Sequence, residues 1–424
     1  MRAAVVAMTQ WNSQTRRMLA DLLAASHLMP LEILPETVSR CARFAGFDAV
    51  LIYLADLELR GLRLLTGKGP DAGQGAGQDP TDLRIDGTVA GRAYQIGEVL
   101  PASPQTGTAT WWVPMLNGTE RLGVLKLTSR REDDDLMGDA EALAALTALI
   151  VASKRERSDS YGRLTRTRAM SVAAEMQWDL MPPRTYADGR VVIAAALEPA
   201  YETSGDAYDY ATAGPSVHLS IFDAMGHDTA AGLTAHLAIA TCRSSRQQGM
   251  GLVESSERIE AVLIEQFDRQ RYATGILAEL DTSRGLLTYV NRGHHLPLLI
   301  RGGRWTSRLS CPPAHPMGTD LQLPVTLCRE HLEPGDRLVM FTDGITEARR
   351  AGGPEFGIGR FVELLNRYHA GGLAAPETLR RVIHAVLDHH DGHLQDDATV
   401  LLCEWLGPDP SPSRLAADLT GLPQ

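Results

Sequence analysis

Four aspartates share one sequence setting that could support metal chemistry. Asp223 and Asp343 come at the end of short apolar runs, Asp396 opens such a run beside a second acid, and Asp206 follows a glycine. The apolar runs predict buried strands, and Gly226 and Gly344 permit tight turns after two of the acids. A carboxylate at the end of a buried strand is costly unless something neutralises it. Four of them at separate strand ends predict an oxygen cage for hard divalent cations.

The segments that must position these acids alternate between short apolar runs and a few longer helical patterns. We predict strands at 191–197, 217–222, 274–280, 286–290, 296–300, 337–341 and 399–403. Helices are predicted at 230–243, 252–269, 361–368 and 376–390. Many strands with a few long helices in this order predict an α+β domain, with helices packed on an antiparallel sandwich.

Length and composition set the frame for the whole chain. With 424 residues, of which 44% are apolar and 22% charged, we expect two or three globular domains. No apolar run reaches the length of a membrane span and the N-terminus lacks a secretory pattern, so we expect a cytoplasmic protein. The net charge of −11 argues against nucleic acid as the main partner. The tail at 407–424 is rich in Pro and Ser and is predicted to be disordered.

The cysteines give no pattern of their own. They number five, at positions 41, 242, 311, 328 and 403, and none forms a C-x-x-C pair. An odd number of scattered cysteines in a chain expected in the cytoplasm favours reduced thiols.

The N-terminal part of the chain resembles a GAF domain over residues 18–153. The resemblance lies in a helix–strand start, the segment DGTVAGRAYQIGE that begins at Asp86, and the hairpin VPMLNGTERLGVLKLTS with its turn at Asn117-Gly118. A Gly-rich interval at 67–77 is predicted to be a loop. The resemblance implies an α/β/α domain that senses a small molecule or dimerises.

Two features of this part have a functional and a structural interpretation. Cys41 could attach a tetrapyrrole, but its place on the apolar face of a predicted helix favours a core thiol. Trp111 and Trp112 could stack on a ligand, and a strand with one aromatic on each face is the favoured alternative. No residue nominates a particular ligand, so a small-molecule ligand of the GAF-like domain stays open.

A helical linker is predicted at 154–183, between the two halves. Apolar residues recur at spacings of three and four in two pieces, Leu143, Leu146 and Ile150, then Ala169, Ala173, Met176 and Leu180. This pattern favours a dimerising coiled coil over a helix packed on its own domains, and Pro182-Pro183 ends it. An intermolecular seam would couple the two halves of the chain in a homodimer.

The C-terminal half resembles the SpoIIE/RsbU-type serine phosphatases, the bacterial branch of the metal-dependent PPM phosphatases. Eight blocks over residues 173–402 carry the resemblance, in order: AAEMQWDLMPP, SGDAYDY, SIFDAMGHDTAAGL, YATGILAELD, LTYVNRGHHLPLLI, GDRLVMFTDGITEAR, FGIGRF and DDATVLL. A single Asp-Gly is usually a turn residue, but four acids in this order make the turn interpretation a minor one. The resemblance implies an αββα sandwich, at 184–406, with two Mn²⁺ or Mg²⁺ ions at one end.

Matching the blocks residue by residue implies the metal ligands. The acids of the first metal pair match Asp206 and Asp223, and the adjacent carbonyl ligand matches the backbone carbonyl of Ala224. The distal acids on the second metal match Asp343 and Asp396. Asp397 would serve the outer shell. Two close divalent ions lower the pKa of a bridging water and offset phosphate charge, so no protein nucleophile is needed. No substrate-binding residue is identified.

Several positions depart from the family pattern or invite other interpretations. Ser204 replaces the first glycine of the usual GGD, which spares the acid. Arg292 replaces an alanine and could contact phosphate or an acidic partner, or be a solvated loop residue. His227 and His294 are expected to shape loops rather than to transfer protons. Glu347 is expected to be a turn or helix-end carboxylate, and His384, His389, His390 and His393 a solvated helix end rather than a zinc site.

These observations together predict a sensor–phosphatase. By resemblance its substrate would be a phosphorylated STAS-domain anti-sigma-factor antagonist, hydrolysed at phosphoserine or phosphothreonine under control of the GAF-like domain. The alternative is a degenerate phosphatase that binds a phosphoprotein or kinase without turnover, or a conformational scaffold. Retention of all four acids favours the enzyme.

Overall fold

The computed structural model describes residues 13–67, 80–102, 108–131, 133, 135–198, 201–202, 204–226, 228–303, 305–349, 353–390, 394 and 396–409. Contacts within the chain divide it into two compact units, with the change between Arg168 and Ala169. The predicted disorder of the tail lies outside the described residues from 410 onward, and most of the predicted loop at 67–77 also lies outside them.

The N-terminal unit is built on one antiparallel sheet with the strand order β3-β2-β1-β6-β5-β4. Its strands are β1 Phe47–Ala55, β2 Gly61–Leu65, β3 Asp82–Arg84, β4 Leu100–Pro101, β5 Ala109–Asn117 and β6 Glu120–Ser129. Its helices are α1 Ser13–Ser26, α2 Leu34–Ala42, α3 Val89–Ile96, α4 Leu136–Arg155 and α5 Asp159–Thr165, with 3-10 turns at Leu31–Ile33 and Arg43–Ala45. The predicted hairpin is confirmed, since Asn117 pairs with Glu120 across the turn.

Each face of this sheet carries its own core. One core joins α1, α2 and α4 to the sheet and contains the buried Cys41, which confirms the expectation of a core thiol. The other lies under α3 and contains Tyr53 and Trp112, whose rings are 5.5 Å apart. Trp111 packs against the first core and Trp112 belongs to the second, so the two aromatics lie on opposite faces, as alternation along a strand requires.

The predicted coiled-coil seam is wrong in its first piece. Leu143 and Ile150 lie on α4 and are buried in the core of their own unit. The helix has length and apolar composition enough to cross a membrane, but half of its most apolar window is buried, as in the core helix of a globular unit. In the second piece Met176 is exposed, and the dimer stays a prediction.

The predicted linker contains three separate helical segments. Helix α4 ends at Arg155, α5 follows, and α6 runs from Val172–Leu180 after a non-helical stretch. Ser158 and Ser171 begin α5 and α6 by accepting hydrogen bonds from backbone N–H groups three residues on, which are typical helix starts. The linker is therefore helical in part, without a continuous helix through it.

The C-terminal unit contains two antiparallel sheets, with the orders β15-β12-β11-β10-β9 and β14-β13-β16-β17-β8-β7. The strands are β7 Thr185–Ala187, β8 Val191–Glu198, β9 Asp206–Ala213, β10 Ser216–Ala224, β11 Ala273–Asp281, β12 Leu286–Arg292, β13 Leu298–Arg301, β14 Trp305–Arg308, β15 Cys328–His331, β16 Arg337–Phe341 and β17 Ala398–Trp405. After α6 the helices are α7 Thr229–Gln247, α8 Leu252–Phe267, α9 Asp343–Thr346, α10 Ile358–Ala370 and α11 Ala375–His389.

The two sheets pack face to face, and helices cover their outer faces. Apolar residues of both sheets share one core, among them Tyr208, Ile221 and Leu401. Helices α7 and α8 pack on the five-stranded sheet around a second core, and α11 packs on β8 and β17. The α+β prediction, with helices on an antiparallel sandwich, is confirmed.

Four of the described strands of the C-terminal unit were not predicted, β7, β9, β14 and β15, and each is an edge strand of its sheet. The expectation of reduced thiols is wrong for one pair, because Cys311 and Cys328 form a disulfide. Cys242 and Cys403 are free and buried. The pair is separated by 17 positions in sequence and meets only because β15 returns beside β12, so no short motif announces it.

Candidate active site

The four predicted acids lie at the same end of the two sheets. Asp206 begins β9 and Asp223 is the last residue but one of β10, and these two face each other in register. Asp343 follows β16 after one residue, and Asp396 precedes β17 by one residue, on neighbouring strands of the other sheet. Each sheet therefore contributes one pair of acids, as the pattern of strand ends predicts.

A hydroxyl joins the two pairs across the sandwich. Thr342 donates from Oγ1 to Oδ2 of Asp206 at 2.6 Å, and its Oγ1 accepts from the backbone N–H of Thr399 at 2.9 Å. Both Thr342 and Asp206 are buried. Because donor and acceptor belong to different sheets, this hydrogen bond sets the separation of the acid pairs. The sequence analysis missed Thr342, although it directly precedes Asp343.

Asp397 makes a second connection between the sheets. Its Oδ2 accepts from the backbone N–H of Gly205 at 2.5 Å, and it is 5% exposed, whereas Asp396 is exposed. The carboxylate of Asp397 therefore holds the turn before Asp206, which agrees with an outer role, and Asp396 is the member of the pair that faces outward.

Two glycines permit the close approach of backbones in this end of the sandwich. A Cβ on Gly205 would lie 2.7 Å from the carbonyl oxygen of Ala224 and 2.5 Å from that of Gly226. A Cβ on Gly344 would lie 1.9 Å from the carbonyl oxygen of Asp397. A side chain at either position would displace the backbone that carries the acids.

Ser204 does more than occupy the first position of the usual GGD. Its side chain is fully buried and its Oγ accepts from the backbone N–H of Asp206 at 3.0 Å. Gln177 on α6 adds two bonds to the same turn, donating from Nε2 to the carbonyl of Asp206 at 2.5 Å and accepting at Oε1 from the N–H of Ser204 at 3.3 Å. The sequence analysis did not identify Gln177 as a site residue.

Burial and mutual repulsion raise the pKa values of three of the acids. Burial first, then the charges of Asp223 and Asp397, raises the pKa of Asp206 well above its usual range. Burial and the charges of Asp343, Asp396 and Asp397 raise the pKa of Asp223 to about 7. The pKa of Asp343 is raised by burial and by Asp396, against an opposing effect of His295. Carboxylates that repel one another in this way favour a cation between them.

The donors fit hard divalent cations. Among the described residues no group of three or more His, Cys, Asp or Glu is already arranged to hold a metal ion, so the fit rests on the chemistry of the donors. Carboxylate and carbonyl oxygens from Asp206, Asp223, Ala224, Asp343 and Asp396 are the ligands that Mg²⁺ and Mn²⁺ prefer. A bound cation would relieve the repulsion that raises the pKa values of Asp206, Asp223 and Asp343.

Asp209, a nearby acid on the same strand as Asp206, is neutralised by arginine side chains. It is 1% exposed and pairs with two arginines of α7, Arg243 at 2.7 Å and Arg246 at 3.0 Å. Its charge is satisfied by those guanidinium groups, three residues away from Asp206. The acids at the strand ends, in contrast, lie near one another and repel.

His294 braces the two sheets behind the acids. Its Nε2 is 3.1 Å from the carbonyl of Phe341, so Nε2 carries the proton, and Nδ1 accepts from the hydroxyl of Thr274 at 2.8 Å. Burial lowers the pKa of His294 to about 3, which keeps the ring neutral. Both of its ring nitrogens are thereby engaged in holding strand ends. This geometry supports a loop-shaping role, while His227 lies outside the described residues.

Arg292 is neither a solvated loop residue nor a phosphate contact. It is fully buried and its Nη2 contacts Oε2 of Glu260, while its Nη1 donates to Ser256 at 3.1 Å. Its Nε donates to the carbonyl of His315 at 3.0 Å. Both alternatives from the sequence are corrected, because a buried partner on α8 that is far away in sequence neutralises the guanidinium.

The remaining acid and histidines take ordinary structural places. Glu347 is exposed at the C-terminal end of α9, as a turn carboxylate. His389 contacts the carbonyl of Pro354 at Nε2, and His390 is buried, so the end of α11 is less solvated than expected. His393 lies outside the described residues.

A sandwich with acids gathered at one end is what the sequence resemblance implied, and comparisons with known proteins agree: this unit is similar to bacterial serine phosphatases. Residues 213–406 match the family model described as Stage II sporulation protein E (SpoIIE). Most of the C-terminal unit is therefore similar to the SpoIIE family. The model match begins after the block that contains Asp206.

Two curated relatives were found. The phosphoserine phosphatase RsbU of Bacillus subtilis is 23% identical over 239 residues, which is 55% of this chain and 69% of RsbU. Protein IcfG of Synechocystis is 31% identical over 142 residues, which is 33% of this chain and 22% of IcfG. The chain therefore spans about a fifth of the length of IcfG.

Solved structures show similar but more distant relationships. The RsbU and RsbW domains of Rv1364c from Mycobacterium tuberculosis give a TM-score of 0.46 at 23% identity, covering 52% of this chain and 63% of that chain. The PP2C domain of SiaA from Pseudomonas aeruginosa gives 0.46 at 17% identity, covering 55% and 94%. At TM-scores below 0.5, the family assignment rests on the family model and on RsbU.

Proposed function

We propose that this chain is a metal-dependent phosphatase that acts on a phosphorylated STAS-domain anti-sigma-factor antagonist. The observation that carries the proposal is the meeting of two acid pairs, Asp206 with Asp223 and Asp343 with Asp396, where burial and neighbouring charges raise the pKa values of Asp206, Asp223 and Asp343. Buried carboxylates that repel each other favour cations between them. The match to the SpoIIE family model supports the reaction class.

The residues that would hold two Mn²⁺ or Mg²⁺ ions are Asp206, Asp223, Asp343, Asp396 and the carbonyl of Ala224. Such ions, when bound, lower the pKa of water and offset the charge of a phosphate ester. The protein's own contribution is to fix the acids. Thr342 orients one oxygen of Asp206, and Asp397 and Ser204 hold the backbone on either side of Gly205.

The substrate class comes from similarity. The relative RsbU is named a phosphoserine phosphatase, and the resemblance of the eight sequence blocks implies a phosphorylated STAS-domain protein as its target. Removal of the phosphate would let that protein capture an anti-sigma kinase and so release a sigma factor. A cytoplasmic location follows from this partner set.

Regulation is proposed to reach the site through the linker. The GAF-like unit would sense a small molecule or dimerise, and α6 would transmit the change. Gln177 on α6 is bonded to both Ser204 and Asp206, so a shift of this helix would move the turn that carries the first acid. The exposed Met176 on the same helix leaves a surface for a second copy of the chain.

The first test is phosphate release from a phosphoserine STAS protein, titrated with Mn²⁺ and repeated in chelator. Saturable release that disappears in chelator is expected. Asp343→Asn should abolish turnover while the fold is retained, because it removes one anionic oxygen ligand. Asp188→Asn is the matched control, since Asp188 is exposed at the opposite end of β8. Wild-type turnover in Asp343→Asn would refute the metal assignment.

A shortened form of the chain distinguishes an inactive phosphatase domain from one that the N-terminal unit regulates. Residues 160–424 without the GAF-like unit should release phosphate with a changed rate and the same metal requirement. If neither protein releases phosphate at any Mn²⁺ concentration, the degenerate binding module replaces the enzyme. If the full chain and residues 160–424 release phosphate with equal turnover and equal metal dependence, the proposed regulation through the linker is refuted.

A further inference from the structure

The disulfide between Cys311 and Cys328 closes a segment, residues 312–327, that borders the acid end of the sandwich. Cys311 is 2% exposed and belongs to the core between the two sheets, beside Leu309 and Leu332. Cys328 begins β15 and is partly exposed. One sulfur is therefore anchored in the core, and the other lies where a solvent thiol can approach it.

The first part of the segment is hydrogen-bonded to the strands that carry the site. Met317 and Ala273 exchange two backbone hydrogen bonds, at 2.8 and 2.9 Å, and Ala273 lies opposite Ala224 in register. Ala314 donates its N–H to the carbonyl of Asn291 at 2.9 Å, and Asn291 lies three residues before the buried His294. The segment thereby supports the strand that presents the Ala224 carbonyl.

The second part of the segment is held to the fold at its two ends and by Val325, which packs against the core beneath α7 and α8. Asp320 bonds to Arg269 at 2.6 Å, and both Asp320 and Gln322 have positive φ angles, at 57° and 56°. Residues 321–327 lie outside helices and strands and expose three leucines, Leu321, Leu323 and Leu327, by 58, 53 and 43%. The disulfide closes this stretch at its C-terminal end.

We propose that the Cys311–Cys328 disulfide is a redox-sensitive latch on the phosphatase site. Its effect on turnover rests on the proposed function, while its effect on the segment does not. With the disulfide intact, the segment holds Ala273 and the Ala224 carbonyl in place. When it is reduced, residues 321–327 gain freedom, the hydrogen bonds between Met317 and Ala273 weaken, and metal ions bind more weakly.

The chemistry of the switch is ordinary thiol–disulfide exchange with a dithiol as reductant. A thiolate of the dithiol attacks Sγ of Cys328, the S–S bond breaks, and Cys311 leaves as a thiolate that takes up a proton. The second thiol of the dithiol then attacks the dithiol sulfur that is bonded to Cys328. This closes the ring and releases Cys328 as a thiol. Two electrons pass to the protein, which gains two thiols, and the dithiol becomes a cyclic disulfide.

The test compares the full chain before and after treatment with dithiothreitol. Alkylation under denaturing conditions followed by mass spectrometry should label three cysteines in the untreated protein and all five in the reduced one, with 311 and 328 as the difference. Limited proteolysis should then cut at the leucines of 321–327 faster in the reduced protein. Five labelled cysteines after mild oxidation would overturn the proposal.

The functional readout is the Mn²⁺ concentration for half-maximal phosphate release. Reduction should raise it about tenfold, the scale of losing a group that supports metal ligands. The variant Cys311→Ser with Cys328→Ser should resemble the reduced protein, and its response to dithiothreitol reports any effect of the reagent on Mn²⁺ itself. Equal proteolysis and equal metal dependence in both redox states would refute the latch.

A failed phosphatase assay still leaves the latch testable. The rise in melting temperature on adding Mn²⁺ measures metal binding without turnover. If the oxidised protein shows a larger rise than the reduced protein but neither releases phosphate, the latch stands and the phosphatase proposal falls. If the rise is the same in both redox states, the latch falls.

Discussion

Thr342 donates a 2.6 Å hydrogen bond to the Asp206 carboxylate across 136 positions of sequence. The two residues belong to different sheets, so one hydroxyl fixes how far apart the two acid pairs lie. Thr342→Val keeps the shape and removes this bond. We expect the Mn²⁺ concentration for half-maximal phosphate release to rise by roughly 10- to 100-fold, because an outer partner of a metal ligand is lost.

Thr212→Val is the control for that change. Thr212 is exposed near the far end of β9, the strand that Asp206 begins. Its replacement should leave the Mn²⁺ dependence within about twofold of the wild type. A similar response of both variants would assign the effect to a general loss of the sheet and not to the Thr342–Asp206 bond.

Gln177→Glu tests the contact between α6 and the site. The new carboxylate keeps the size of the side chain but cannot donate to the carbonyl of Asp206. We expect weaker Mn²⁺ binding, by about tenfold, with an unchanged KM for the phosphoprotein. Asp179→Asn, an exposed change on the same helix, is the control. A variant that raises KM alone would place Gln177 in substrate binding.

Asp223→Asn should stabilise the metal-free protein at neutral pH. The folded pKa of Asp223, about 7, is raised above the unfolded value, so this acid favours the folded state fully below about pH 4 and the advantage is lost as the pH rises through about 7. We expect the free energy of unfolding of the variant to exceed that of the wild type by about 1–3 kcal/mol at pH 8. The free energy of unfolding of the variant should also change less with pH than that of the wild type. Urea unfolding in chelator at pH 4, 6 and 8 measures this. With Mn²⁺ present, the order of the two proteins should reverse.

Arg292→Met should destabilise the C-terminal unit strongly. It leaves the Glu260 carboxylate buried without the guanidinium, at an expected cost of about 3–5 kcal/mol. Replacing both Arg292 and Glu260 by Met removes the charge on both sides and should recover most of that loss. Arg349→Met breaks an exposed pair with Glu355 and should cost less than about 1 kcal/mol. A double variant as unstable as the single one would show that the side chains matter for more than their charges.

The sequence by itself determined where the acids lie and what kind of unit carries them. Asp223 and Asp343 end strongly apolar runs, and the strands β10 and β16 form there because such runs bury both faces. The helices α7 and α8 were likewise predicted from the apolar periodicity of their own residues. The strand β9 was missed because its own residues, DAYDYATA, show weak apolar character and rely on pairing with β10.

Only the tertiary structure decided how those parts meet. The partner of Arg292 is Glu260, a residue 32 positions away on a helix, and the partner of Cys311 is a thiol on an edge strand. The first half of the linker seam looked intermolecular, but Leu143 and Ile150 face their own sheet. Local periodicity fixes which face of an element is apolar, while the identity of the surface that covers it depends on the packing of distant segments.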